Sequence, residues 1–181
     1  YVVVPVPVIT AGIPNRNSQA FSIESLVDFS VDMHCPRYKS FVSSPCFQEH
    51  QSEDYEEAKG VNLDAILIPI RSYNTAKIVV LSAFCRQKDP RLANVILKGE
   101  RQSYSMGAVA TSFTCSICKG KLGPAIVRTC KCTGTDFNRL NTYGTIKQGG
   151  KLHYLLADDP IFVENSSVSD PADITAVSTA L

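Results

Sequence analysis

Residues 61–84 read VNLDAILIPIRSYNTAKIVVLSAF, and this stretch decides the fold class. Val61 to Ile70 and Lys77 to Phe84 are dominated by aliphatic and β-branched side chains, the composition of strands on a pleated, half-buried surface. The connection Arg71-Ser72-Tyr73-Asn74 is short and polar, which suits a turn between antiparallel neighbours. Working outward, Val2 to Thr10 is β-branched and interrupted by Pro5 and Pro7, as an edge strand tolerates. Ala11 to Ser18 carries the turn residues of a loop. Ser22 to Met33 predicts a short helix with an apolar face of Ile23, Leu26, Val27 and Val31 behind a serine cap. His34 to Gln51 reads as irregular, and Asp54 to Lys59 as a solvated helical turn.

Beyond the hairpin, Asp89-Pro90 supplies a helix cap and a proline at the first helical position, and Gly99 closes the segment. Leu92, Val95 and Ile96 form the inward face of that helix. Gln102 to Phe113, Leu152 to Leu156 and Ile161 to Val168 are further strands, with Cys115 to Cys132 as a compact insertion. The segment from Ser169 is small and polar, and is expected to be loosely held. Strands outnumber helices without alternating with them. The expected fold is therefore α+β, an antiparallel sheet or barrel with a few flanking helices, in one domain over residues 1–181 with the 115–132 insertion inside it.

Composition narrows the function. A net charge of +1 argues against broad electrostatic binding to nucleic acid or to an acidic membrane. No apolar run approaches the roughly 20 residues of a membrane-spanning helix. Residues 1–13 are apolar but lack a basic leader, so they do not read as a signal peptide, and the start at Tyr1 suggests a processed or trimmed chain. On that expectation the seven cysteines stay reduced, and clustered thiols point to metal rather than disulfides. Cys115-x-x-Cys118 and Cys130-x-Cys132 offer four thiolates, the ligand number of a structural zinc site with no open position for catalysis. The Cys-x-Cys half is less usual, which leaves room for one ligand from elsewhere; free buried thiols or a redox pair are the competing readings. Cys35, Cys46 and Cys85 have no such spacing and read as small core residues.

A nucleophile is also on offer. Ser105 precedes Gly107, with Ala108 and Ala110 nearby, and small residues let a substrate backbone approach and expose main-chain N–H groups to an oxyanion. Ser103, on the same side of the strand, is the fallback. Serine needs a base, and the chain holds three histidines: His34, His50 and His153. His50 follows an irregular run at a strand boundary, where a side chain can be presented to a cleft.

In their order along the chain, these segments resemble the prohead proteases of large tailed bacteriophages, related in fold to the herpesvirus assembly proteases. The resemblance is carried by Asn15-Arg16-Asn17, Pro45 to His50, Ala58-Lys59-Gly60, Leu63-Asp64-Ala65 and Asp89-Pro90-Arg91-Leu92. It continues through Gly99-Glu100, Tyr104 to Ala108, Cys115-Ser116-Ile117-Cys118 and Glu164 to Ala172. It implies His50 as general base, Ser105 as nucleophile and Glu164 as the acidic third member, with Asp170 in the same motif as the alternative. It further implies a zinc-type insertion, here with Cys132 where some relatives carry histidine. The implied activity is serine endopeptidase cleavage of phage scaffold, head and capsid proteins during capsid maturation, often after glutamate in small-x-Glu sequences, together with self-processing. The place implied is the assembling prohead in the host cytoplasm, with retention in the virion left open, as is a homo-oligomeric state. Arg71, Lys77 and Arg101 are unranked candidates for reading an acidic substrate. The rival reading is a non-catalytic zinc-binding scaffold or interaction module, with Lys119, Lys121, Arg128 and Lys131 as a local basic patch.

Overall fold

The structure is a computed structural model that describes residues 1–123, 129–130, 132, 146–148 and 150–178. The two strands expected on either side of Arg71–Asn74 form a hairpin, Gly60–Ile70 and Thr75–Phe84, paired antiparallel from Gly60↔Phe84 to Ile70↔Thr75. Arg71–Tyr73 turns between them, and Asn74 takes the left-handed conformation, φ 48°, that asparagine tolerates. Strand Val2–Thr10 adds to the far side of Thr75–Phe84, and the full seven-stranded order runs Val2–Thr10, Thr75–Phe84, Gly60–Ile70, Pro45–Gln48, Ile161–Val168, Gln102–Val109, Val177–Ser178. The first strand packs against the last two, so the sheet nearly closes on itself. Among the described residues, only the Pro45–Gln48 and Ile161–Val168 neighbours are parallel in this sheet. The fold is mixed α+β, mostly sheet with few helices.

Val6, Val8, Ile78, Val80, Phe84, Tyr104 and Phe162 fill the interior. Phe162 stacks on Phe41 at 4.4 Å between ring centres, anchoring the strand that carries Glu164. Helix Pro90–Leu97 starts as its sequence indicates, with the Asp89 carboxylate accepting from Leu92 N–H at 2.8 Å.

Several expectations are corrected, beginning with the strand expected over Leu152 to Leu156: it is two, Lys151–His153 paired with Ile146–Gln148, and Leu155–Asp158 paired with Ser112–Cys115. The first helix is only Ile23–Val27: Asp28 closes it, and Phe29–Ser30 pairs with Cys35–Pro36. The single strand expected over Gln102 to Phe113 is two, Gln102–Val109 and Ser112–Cys115, because the chain leaves the large sheet between them for a second one. That second sheet runs Lys121–Leu122, Ser112–Cys115, Leu155–Asp158, Gln19–Ala20. The segment after Ser169 is held rather than loose. Asp173 accepts from Thr10 N–H at 2.8 Å and faces Lys77 Nζ at 3.2 Å, and Val177–Ser178 joins the large sheet. Among the described residues no helix is long and apolar enough to cross a membrane.

Candidate active site and metal centre

Strand register builds the site. Ile161–Val168 lies between Pro45–Gln48 and Gln102–Val109, with Ser166 opposite Ser105 and Glu164 opposite Gly107. Cross-strand partners share a face, and side chains alternate along a strand, so Ser105, Gly107, Glu164 and Ser166 all project to one side. A register shift between Phe162 and Glu164 lets Phe162 stay in the core while Glu164 faces the site.

His50 reaches that side from the end of the neighbouring strand. Glu49 and His50 have φ of 49° and 57°, two consecutive left-handed residues that turn the chain sharply. The turn is pinned by Glu49 N–H donating to Ser167 O at 2.9 Å and by Ser169 N–H donating to the Glu49 carboxylate at 2.8 Å. Strained non-glycine backbone of this kind persists where surrounding contacts fix it, and is common beside functional groups. His50 Nδ1 then lies 2.8 Å from Glu164 Oε1, while Ser166 Oγ donates to Glu164 Oε2. Both carboxylate oxygens are engaged, and the Glu164 side chain is buried. The hydrogen bond that the imidazole donates to the Glu164 carboxylate, opposed by partial burial, holds the His50 pKa above its ordinary value.

Gly107 has a reason that the sequence did not disclose. A Cβ there would fall 2.6 Å from Glu164 Oε1, so the carboxylate occupies the space a side chain would need. His50, Ser105, Met106, Gly107 and Ala108 line one cleft of about 510 Å³, walled by Phe21, Phe113 and Ala157 and bordered by Asn15, Arg16, Asn17 and Asp170. Ser105 is nearly buried at 7% exposure, while His50 is open on its outer side.

The other candidates fall elsewhere. Asp170, the alternative third member, pairs with Arg16 rather than with His50. Ser103 does not line the cleft and sits opposite Val168 and Val177. His34 is exposed on a turn, whereas Cys46 is buried as its sequence reading expected, giving its S–H to Asn62 Oδ1 at 3.2 Å. Arg71, Lys77 and Arg101 do not border the cleft.

The cysteine cluster forms at the end of the second sheet. The sulfurs of Cys115, Cys118, Cys130 and Cys132 all lie within 4.8 Å of one another, an arrangement that could hold a metal ion. Cys118 and Cys130 sulfurs are 3.6 Å apart, near the edge of about 3.8 Å that a tetrahedral zinc–thiolate site requires. Gly120 makes the approach feasible: a Cβ there would sit 2.6 Å from Cys130 Cα. Gly120 N–H also points at Cys118 sulfur at 3.4 Å. Burial pushes the Cys115 thiol up to about 12, so a cation binding there must displace its proton. His153, weighed in the sequence only as a base for serine, is buried with Nε2 3.4 Å from Cys115 sulfur, a contact the sequence did not disclose. Asp158 braces the same sheet, accepting from Ser112 at 2.6 Å and facing Lys121 Nζ at 3.3 Å. Lys121 of the expected basic patch is therefore engaged, and Arg128 and Lys131 lie outside the described residues.

No family model, curated protein or solved structure matches this chain.

Proposed function

We propose that this chain is a serine endopeptidase, with Ser105 as nucleophile, His50 as general base and Glu164 as the group that orients the imidazole. The observation that carries the reading is the His50 Nδ1–Glu164 Oε1 contact at 2.8 Å beside a cleft that Ser105 also lines. With Nδ1 committed to a carboxylate, Nε2 is the nitrogen left to accept a proton. His50 takes the Ser105 hydroxyl proton as Oγ attacks a peptide carbonyl, then passes it to the departing amine. A water molecule, deprotonated by the same imidazole, releases the acyl group and restores Ser105. Glu164 stabilises the imidazolium formed in each half-reaction. Main-chain N–H groups of the cleft-lining Ser105–Ala108 segment that the strand pairing leaves free are the proposed oxyanion donors.

The resemblance of the ordered motifs to prohead proteases supports reading the activity as phage prohead maturation, with scaffold and head proteins cut after glutamate in small-x-Glu sequences. The four cysteines are assigned a structural zinc ion, which would cross-link the second sheet where it walls the cleft through Phe113 and Ala157. Purified chain and its Ser105→Ala variant, incubated with phage scaffold protein, test the reading. Processing by the first and none by the second is expected; equal processing by both excludes Ser105 as the nucleophile.

A further inference from the structure

We propose that Arg16 is the cation that reads an acidic substrate side chain, and that Asp170 occupies this subsite until substrate arrives. The proposal rests on the peptidase reading of the cleft. Arg16 is the one lysine or arginine among the described residues that line it. The loop that carries Arg16 is built to hold a fixed path. Asn15 Oδ1 accepts from Asn17 N–H at 3.0 Å and from Gln19 N–H at 3.1 Å, while Asn15 N–H donates to Gln19 O at 2.8 Å.

The opposite bank is the Asp170-Pro171-Ala172 strap, whose three residues all border the same cleft. Arg16 N–H donates to Ala172 O at 2.9 Å, and the Arg16 guanidinium pairs with the Asp170 carboxylate. A carboxylate on a peptide segment thus already sits against the arginine, as a substrate's would. Guanidinium binds carboxylate in a planar, two-pronged geometry that an amide of the same shape cannot match. The incumbent pair is weakly held: the Arg16 and Asp170 side chains are 53% and 79% exposed, and ion pairs this open contribute little. An incoming carboxylate can therefore replace Asp170 at small cost. Lys77, a candidate on sequence, is instead consumed by Asp173 and Thr10.

The test separates binding from cleavage by using the Ser105→Ala protein. Its affinity is measured by fluorescence anisotropy for a labelled hexapeptide with one glutamate and for the glutamine isostere. The glutamate peptide should bind about tenfold tighter, a preference that shrinks with added salt. Adding Arg16→Gln should erase the preference, Arg16→Lys should retain part of it, and Asp170→Asn should tighten glutamate binding. An undiminished preference in the Arg16→Gln protein, or no preference in Ser105→Ala itself, overturns the assignment. If Ser105→Ala prefers glutamate but the unmodified chain hydrolyses neither peptide, the peptidase reading falls and the Arg16 subsite stands. If the unmodified chain cuts both peptides equally and Arg16→Gln changes nothing, the reverse holds.

Discussion

Replacing Gly107 with alanine should uncouple His50 from Glu164 without touching either residue. The added Cβ would lie 2.6 Å from Glu164 Oε1, 2.9 Å from Cγ and 3.2 Å from Cδ. Ordinary contact begins near 3.5 Å, so the carboxylate has to retreat by about 1 Å. It has little room, because the side chain is buried and its other oxygen is tied to Ser166. The atom most crowded is the one 2.8 Å from His50 Nδ1, and a retreat of that size breaks the hydrogen bond. Loss of a charge-assisted contact to a half-exposed imidazole costs about 1–2 kcal/mol, discounted for solvent screening. In the proposed reaction this corresponds to roughly a five- to thirtyfold fall in kcat/KM. The decisive assay is proton NMR titration of the imidazole signals, of which the chain has three. The His50 pKa should drop back towards its ordinary value in Gly107→Ala. An unchanged His50 titration and unchanged turnover would show that Glu164 does not hold the imidazole through the space above Gly107.

Other consequences follow from the same contacts. Because Glu164 raises the His50 pKa and the base must be neutral, the acidic limb of the kcat/KM profile should lie above the ordinary histidine range. Glu164→Gln should move that limb down as well as lowering its plateau. In stability the sign is the opposite: a raised folded pKa adds stability below the unfolded value of about 6.5, which is lost as pH rises through the folded one. Denaturant titrations of the parent and Glu164→Gln proteins at acid and alkaline pH read that difference. Chelation at neutral pH should release zinc measurable by a colorimetric indicator and lower the Tm, with Cys115→Ser reproducing the loss. Asp173→Ala should cost about 2–3 kcal/mol in urea unfolding, since it strips a partner from Lys77 and from the Thr10 N–H together.

Much of the sheet was legible because its signals are local. The strands around Arg71–Asn74 are rich in aliphatic and β-branched residues, Ile161-Phe162-Val163 opens a later strand in the same way, and Asp89-Pro90 is a self-contained helix start. The failures were of longer range. Nothing in Ser22–Met33 reveals that Phe29–Ser30 leaves the helix to pair with Cys35–Pro36, because that choice depends on a partner segment. The small polar residues after Ser169 look unanchored until Asp173 finds Thr10 and Lys77, more than ninety residues away in the chain. The same holds at the site. Ser105 and His50 were named from their neighbourhoods and the motif resemblance, but the choice between Glu164 and Asp170 as His50's neighbour needed strand register. Arg16 emerged as a cleft residue only when its loop met the 170–172 strap.

The central claim is that Ser105 is activated by His50. It is tested most directly by treating the native chain with a fluorophosphonate and mapping the adduct by peptide mass spectrometry. One adduct per chain, on Ser105, with labelling abolished in both the His50→Ala protein and the heat-unfolded chain, is the predicted result. No adduct, an adduct on another serine, or equal labelling without His50 would contradict it.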